Sequence, residues 1–538
     1  MNLTQYLKKF SVPLLLLTII LFHFINNALW LKIDNFPDIG SCSRHLGITF
    51  VTRLAIHRAF QHNESFMDLL GKLFLIFRKI HGPPWPTFIY FFPNLLLFND
   101  AFFSIYTLRL YVDFIFFIIL IISAYFIGKK CFNKSAGLLA AFIISFYPST
   151  YGISRQFVLD FPVTGMIALC LCLLLYSENF SKTPYSILFG ISLGISTLIK
   201  LQGLFFLIFP FFYFFREMLK SKNEHKKKQV INFIIIIIIS GLIFFLYWGD
   251  PHNFKCLFSN FFQQAFVYYP FNPVYPIDDN TIWSDIGIGE DIIPVFSLES
   301  LTYYFIETMR HASIPLFILF LIAIIAFCKS RNKYRLFFLN SIFIPWIIFT
   351  LISGKQDRYF FPIIIYIAPI TSWWIVQLNK TYLKKIAIIS IIVFNVTGFF
   401  YLSWSNIRYE DALFFNSDFT FPPNTINSFF NPIYKIPLQK IVSDIQETLN
   451  KGQTVSISEW GHGATAFMFF LYPHFSDEFV DKNIIFSLPE PPPGKKKPLY
   501  MTENKQIWLE MKNKYKNYKI FADLNHFVVL KKHSLSSN

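Results

Sequence analysis

The sequence predicts an all-α polytopic membrane protein of about eleven transmembrane helices, followed by a small α/β domain on the outer side. Three observations predict it. Hydrophobic residues make up 54% of the 538 residues and charged residues only 15%, against roughly a quarter charged in soluble domains. The apolar residues, with 70 Phe among them, come in runs that no soluble core needs and that lipid must solvate. The basic residues fall in short turns between those runs, which is the topology signal of membrane proteins.

The runs are 12–31, 104–127, 135–150, 161–177, 185–199, 201–216, 230–248, 312–327, 336–352, 359–377 and 385–403. Several are shorter than the roughly 20 residues of a straight crossing, and 185–216 reads equally as one hairpin turning at Lys200. Lys8 and Lys9 precede the first run, which is long enough to span and has no small-residue cleavage site after it. It is read as a retained helix rather than a signal peptide. With the N-terminus in the cytoplasm, the inner turns are 128–134, 177–182, 216–228, 329–335 and 379–385. These hold most of the clustered lysines, Lys220, Lys222, Lys226, Lys227 and Lys228 among them, so charge agrees with the count at every inner turn.

The same count divides the chain into a transmembrane domain, 1–403, with outer loops 32–103 and 249–311, and an outer C-terminal domain, 404–538. In the first loop, 69–80 and 87–98 read as helices lying in the interface, with Trp85 and Tyr90 at headgroup depth. In the tail, helices are expected at 438–449 and 505–515, strands at 454–459, 483–487, 518–522 and 527–531, and a linker at 489–497.

Several function classes drop out. A net charge of +16 would suggest nucleic acid in a soluble protein; here it sits in membrane-flanking turns, so the expected partner is the bilayer and no nucleic acid. Six cysteines without a CxxC pair give no zinc or redox motif. Cys170 and Cys172 read as packing residues, while Cys42 and Cys256 either pair outside or stay thiols. There is no Walker motif and no GxGxxG. The acidic residues Asp278, Asp279, Asp285, Glu290 and Asp291 either recruit a divalent cation or are solvated surface; with no diagnostic metal-ligand spacing they read as surface, and no cofactor is expected. A transporter or flippase would have internal repeats and a midplane site, and neither is visible. A non-catalytic envelope scaffold would not need the polar residues considered next. The Phe/Ile/Lys/Asn bias points to an AT-rich genome and a bacterial inner membrane.

Charges in or beside spans are expensive and mark function by default. Those of this chain gather at the outer rim. Asp38, just after the first run, is either a general base or a loop residue capping a helix near Gly40; position alone favours the cap. Arg155 and Asp160, in YGISRQFVLDFP, either staple the turn as an ion pair or orient a phosphate and a catalytic group. Lys200 in STLIKLQGLFF, with Lys355 and Arg358 in SGKQDRYFFP, are either snorkelling anchors or ligands of a phosphate-bearing headgroup. His81 opens a Pro-rich turn at the same level, either solvated or touching phosphate or sugar.

Four patches, in this order and on this side, resemble the protein O-mannosyltransferase and aminoarabinose-transferase superfamily, which has the C-type glycosyltransferase fold. They are FPDIGSCSRH after the first span, HGPPWPTFIYF before a short apolar helix, SRQFVLDFPVTG with LGISTLIKLQGLF, and KQDRYFFPIIIYIAP. The likeness spans roughly 1–403. It implies an enzyme on the outer face that moves a sugar from a polyprenyl- or dolichyl-phosphate donor to a protein, lipid or glycan acceptor, inverting the anomeric centre. Asp38 would be the base or acceptor-orienting carboxylate and Asp160 a second active-site acid with Arg155 near it. Lys200 and Arg358 would hold the donor phosphate, with His81 beside them. Many members carry Asp-Glu where this chain has Asp38–Ile39, which leaves the acceptor type open.

Overall fold

The computed structural model describes residues 3–33, 65, 67–69, 71, 101–156, 158–220, 226–249, 291–292, 297–352, 354–404, 447, 455–459, 484–487, 518–523 and 527–532. Asp38, Cys42, His81 and Cys256, the interface helices expected at 69–80 and 87–98, the helices at 438–449 and 505–515 and the linker at 489–497 lie wholly or mainly outside them.

Every expected apolar run forms a helix. The first is α1, Leu3–Ile33, and α2 is Ala101–Cys131. The third run breaks into α3, Lys134–Ser145, and α4, Pro148–Ser154, bent by 58° where Pro148 interrupts it. Proline has no N–H to continue the preceding ladder and instead starts the next helix. There follow α5, Asp160–Tyr176, α6, Thr183–Ile199, α7, Gly203–Lys220, and α8, Lys226–Trp248.

Beyond β1, Asp291–Ile292, come α9, Leu298–Ala312, and α10, Ile314–Lys329, then α11, Arg335–Thr350. Strand β2, Gly354–Lys355, pairs antiparallel with β1 and leads into a 3-10 segment, Asp357–Ile363. The bundle closes with α12, Ile364–Val376, and α13, Thr381–Trp404.

Five of these segments are long and apolar enough to cross a membrane, or up to seven if each bent pair is one span. The shorter apolar helices α5, α6 and α11 fall below the length of a straight crossing. Burial explains how α5 tolerates this. It is enclosed on nearly every side, by α2, α6, α7 and the 3-10 segment, so little of it has to match the lipid. By contrast α8 and α13 leave Ile234, Ile238, Leu242 and Phe245, and Ile386, Ile389 and Val393, exposed as a lipid-facing surface does. Cys170 is fully buried in the α5 packing.

Close helix contacts rest on small residues. A Cβ on Gly194 of α6 would stand 2.6 Å from Ile243 Cβ of α8, and one on Gly137 of α3 would stand 2.4 Å from the Tyr125 carbonyl of α2. With no hydrophobic drive between helices in lipid, such backbone approaches carry the association.

The lysine-rich turns share one end of the bundle. Lys130, at the end of α2, and Lys182, at the start of α6, both bond Glu178 Oε1, at 2.7 and 2.9 Å. Glu178, Asn179 and Phe180 all have positive φ, and Asn232 of α8 donates to the Phe180 carbonyl at 2.7 Å to hold that turn.

The expected tail strands are present as β3, Val455–Glu459, β4, Ile484–Ser487, β5, Tyr518–Asp523, and β6, Phe527–Lys532, in the order β4-β3-β6-β5. The β3–β4 pair is parallel and the others antiparallel.

Candidate active site

At the end of the bundle opposite the lysine-rich turns, three segments far apart in sequence converge. Asp160 is the first residue of α5, where a carboxylate complements the helix dipole. Lys200 is the residue that ends α6, in extended conformation, before the chain turns through Leu201 and Gln202 into α7. Arg358 lies in the 3-10 segment.

Lys200 Nζ bonds Asp160 Oδ1 at 2.6 Å, and Arg358 Nε stands 3.7 Å from Asp160 Oδ2. The carboxylate is almost fully buried, whereas Lys200 and Arg358 are 18% and 22% exposed. Both cations face this one carboxylate, on side chains that solvent or a ligand reaches. Facing both cations, the carboxylate is placed to organise them.

Local packing fixes this geometry. A Cβ on Gly203 would lie 2.8 Å from Val163 Cγ2 and 3.2 Å from Ser196 Oγ. Only glycine therefore lets the Lys200 turn approach the first turn of α5 closely enough for the ion pair. Gln202 Nε2 donates to the Tyr359 carbonyl at 3.2 Å, tying the same turn to the 3-10 segment. The Tyr359 ring lies under Lys200, with Nζ 4.5 Å from its centroid. Arg358 Nε also donates to Gln356 Oε1 at 3.0 Å.

The sequence grouped Arg155 with this site, and the structure places its side chain elsewhere. The guanidinium is fully buried. Nε donates to Asn27 Oδ1 of α1 at 2.8 Å and Nη2 to Ser403 Oγ of α13 at 2.9 Å. The rings of Trp30, Tyr151 and Phe399 surround it at 4.8, 5.3 and 5.4 Å. Its planar fork suits a bond to each of two helices. Among the described residues Arg155 is thus a staple that joins α1, α4 and α13.

Sequence reasoning passed over the rest of this network. Asn27 Nδ2 lies 3.1 Å from both oxygens of Asp113, and Arg109 Nε donates to the Arg155 carbonyl at 2.8 Å. The signal was available, since Arg109 and Asp113 are one helical turn apart in an otherwise apolar span, where charge is unusual. Gln202 and Tyr359 were also missed, because an amide and a tyrosine at a span end look like ordinary interface residues. A second buried pair, Ser149 Oγ and His311 Nδ1 at 2.7 Å, links α4 to α9.

Lys355, considered together with Arg358 as a headgroup ligand, is also buried. Nζ donates to the carbonyls of Phe349 and Thr350 at 2.9 and 2.8 Å, the last turn of α11.

Comparison with known proteins follows this geometry. Residues 81–248, which carry Arg155, Asp160 and Lys200, match the family of dolichyl-phosphate-mannose-protein mannosyltransferases. No curated protein matches the chain. The chain superposes on ArnT from Cupriavidus metallidurans bound to undecaprenyl phosphate with a TM-score of 0.59 at 10% identity, covering 97% of this chain and 98% of that one. The fold is the C-type glycosyltransferase fold. The apo state of the same ArnT gives a TM-score of 0.54 at 10% identity, over 96% of this chain and 97% of that one.

Proposed function

We propose that this protein is an integral-membrane glycosyltransferase that takes its sugar from a polyprenyl-phosphate donor and transfers it, with inversion, to an extracytoplasmic acceptor. The observation that carries this is the pair of partly exposed cations, Lys200 and Arg358, held on either side of the buried Asp160 carboxylate in a fold shared with a protein crystallised with undecaprenyl phosphate. Positive-inside charge supports an outer-face position for this end of the bundle.

In the reaction, an acceptor oxygen attacks the anomeric carbon as the bond from that carbon to the phosphate oxygen breaks. Negative charge grows on the departing phosphate. Fixed cations at a partly dry rim stabilise that charge more than they stabilise the bound donor. Lys200 and Arg358 supply them, Asp160 holds them in place, and the Tyr359 ring supports Lys200 from below. The acceptor proton goes to a base, for which Asp38 is the candidate. The products are the glycosylated acceptor and polyprenyl phosphate. His81 is the candidate for a further contact with the donor phosphate.

The test compares lipid extracts of cells making wild-type and Lys200→Met protein at equal levels, scanned by mass spectrometry for polyprenyl-monophosphate sugars. One such lipid that accumulates only with the variant identifies the donor. Identical lipid profiles would remove the transferase reading.

A further inference from the structure

Lys355 lies three residues before Arg358, yet its surroundings are opposite in kind. It is 1% exposed, and its ammonium closes the C-terminus of α11. That helix end leaves carbonyls without intrahelical partners and carries the negative pole of the dipole. Nζ satisfies the Phe349 and Thr350 carbonyls. Ser300 of α9 adds a bond from Oγ to the Thr350 carbonyl at 3.1 Å, and the Tyr304 ring covers Nζ at 5.2 Å. Three elements, α9, α11 and the β1–β2 ribbon, therefore meet on one ammonium group.

The chain that leaves this anchor is the one that builds the site. Gln356 follows directly, accepting from Arg358 Nε through its side chain and from the Tyr359 N–H through its carbonyl at 3.2 Å. Arg358 then faces Asp160, and Tyr359 lies under Lys200. No regular element separates the anchor from these residues, so a shift at Lys355 passes straight to them.

We propose that Lys355 is a positioning residue: by capping α11 it sets where Arg358 and Tyr359 stand against Asp160 and Lys200, and so sets the affinity of this site for the phosphate of a polyprenyl lipid. This rests on the transferase reading of the site. It is a role distinct from phosphate binding, since Lys355 acts through its neighbours.

The cap depends on charge. Burial pushes the Lys355 ammonium down to about 7, so the charged cap is present below that pH and lost above it. Among the described residues, the other titratable or charged groups on the surrounding elements are Glu299, Tyr303, Tyr304, Glu307, Arg310 and His311 of α9, Asp291 of β1, and Asp357, Arg358 and Tyr359 of the 3-10 segment; the last turn of α11 offers only carbonyls. All of these are the same in wild type and in a Lys355 variant. The ratio of their affinities therefore isolates Lys355 from every other titration, including that of the probe.

The experiment measures binding of undecaprenyl phosphate to purified full-length wild type, Lys355→Met and Arg358→Gln at pH 6 and pH 8, with thermal melts to check folding. Loss of the cap misplaces ligands by a fraction of an ångström to an ångström, which lowers affinity by roughly ten- to a hundredfold. Lys355→Met is expected to bind about tenfold more weakly than wild type at pH 6 and nearly equally at pH 8. If that variant does not fold, Tyr304→Leu, which removes the ring over the ammonium, is expected to reduce the pH 6 affinity in the same direction. A wild-type-to-variant ratio that is one at both pH values, or equally large at both, overturns the role of Lys355 while the transferase reading stands. A wild type that does not bind the lipid at either pH sinks both. Wild-type binding that Arg358→Gln abolishes, together with a ratio that collapses between pH 6 and pH 8, supports both.

Discussion

The Lys200–Asp160 pair makes a prediction whose size follows from its burial. Asp160 is 4% exposed and Lys200 18%, so the pair lies between a surface contact worth about 0–1 kcal/mol and a buried one, where removing one partner costs about 3–5 kcal/mol. Lys200→Met leaves a carboxylate buried, with Arg358 3.7 Å away as partial compensation. A loss of about 2 kcal/mol of stability is expected for it, below the range for a fully abandoned buried charge. Asp160→Asn is expected to cost less, about 1 kcal/mol, because Lys200 reaches solvent and keeps the Tyr359 ring. In the double variant neither charge is stranded, so its loss should fall below the sum of the singles by about 1–2 kcal/mol. Equilibrium unfolding of the four proteins in one detergent measures this coupling. Additive losses would mean that the two side chains do not depend on each other, and the description of Asp160 as the organiser of the cations would be wrong.

Gly203→Val should separate folding from binding, because its side chain would push the Lys200 turn off Val163; overpacking of this kind costs about 1–3 kcal/mol, and binding of undecaprenyl phosphate should fall further than the melting temperature does. Arg155→Met should destabilise the protein strongly, by about 3 kcal/mol or more, since it strands the bonds of Asn27 and Ser403 in the bundle interior. Arg155→Lys should recover only part of that loss, because an ammonium cannot reproduce the fork; full recovery would show that charge alone matters there. Glu178 is held below its usual value of 4.5 by its bonds to Lys130 and Lys182. Its contribution is therefore present above pH 4.5 and lost as the pH falls through the lower folded value. Acid titration of wild type should show that step and Glu178→Gln should lack it, and because the group is 43% exposed the step should be small.

The helices were legible because lipid imposes a rule that sequence displays directly: a backbone in hydrocarbon must bond to itself, and the side chains around it must be apolar. That rule located every run from 12–31 to 385–403. It did not show which runs are long enough to cross alone. The bend at Pro148, and the 115° turn between α9 and α10 at Ser313 with its φ of 71°, depend on what packs against each helix. Nor did hydropathy reveal α9. That helix exposes Leu298, Leu301 and Phe305 while burying Tyr304, Glu307 and His311, so its apolar face looks outward and its polar face inward. A window average cannot distinguish this arrangement from an ordinary polar loop.

The site was legible only in part, and the three basic residues Arg155, Lys355 and Arg358 show why. Sequence places all of them at span ends on the same side, where Lys355 and Arg358 read as anchors or phosphate ligands and Arg155 as an ion-pair staple or a phosphate-orienting group. Their chemistry is decided by partners from elsewhere in the chain: Asn27 and Ser403 for Arg155, the α11 carbonyls for Lys355, Asp160 for Arg358. These partners lie between 5 and 248 positions away, and no local pattern encodes them. What separates the three is exposure. Arg155 and Lys355 are enclosed, whereas Arg358 faces the same carboxylate as Lys200 and stays 22% exposed. Among the described residues, Arg155 and Lys355 are enclosed within the bundle, while Lys200 and Arg358 stand partly exposed around a single carboxylate at its rim. That exposed pair, rather than the number of basic residues, is what a lipid phosphate can recognise.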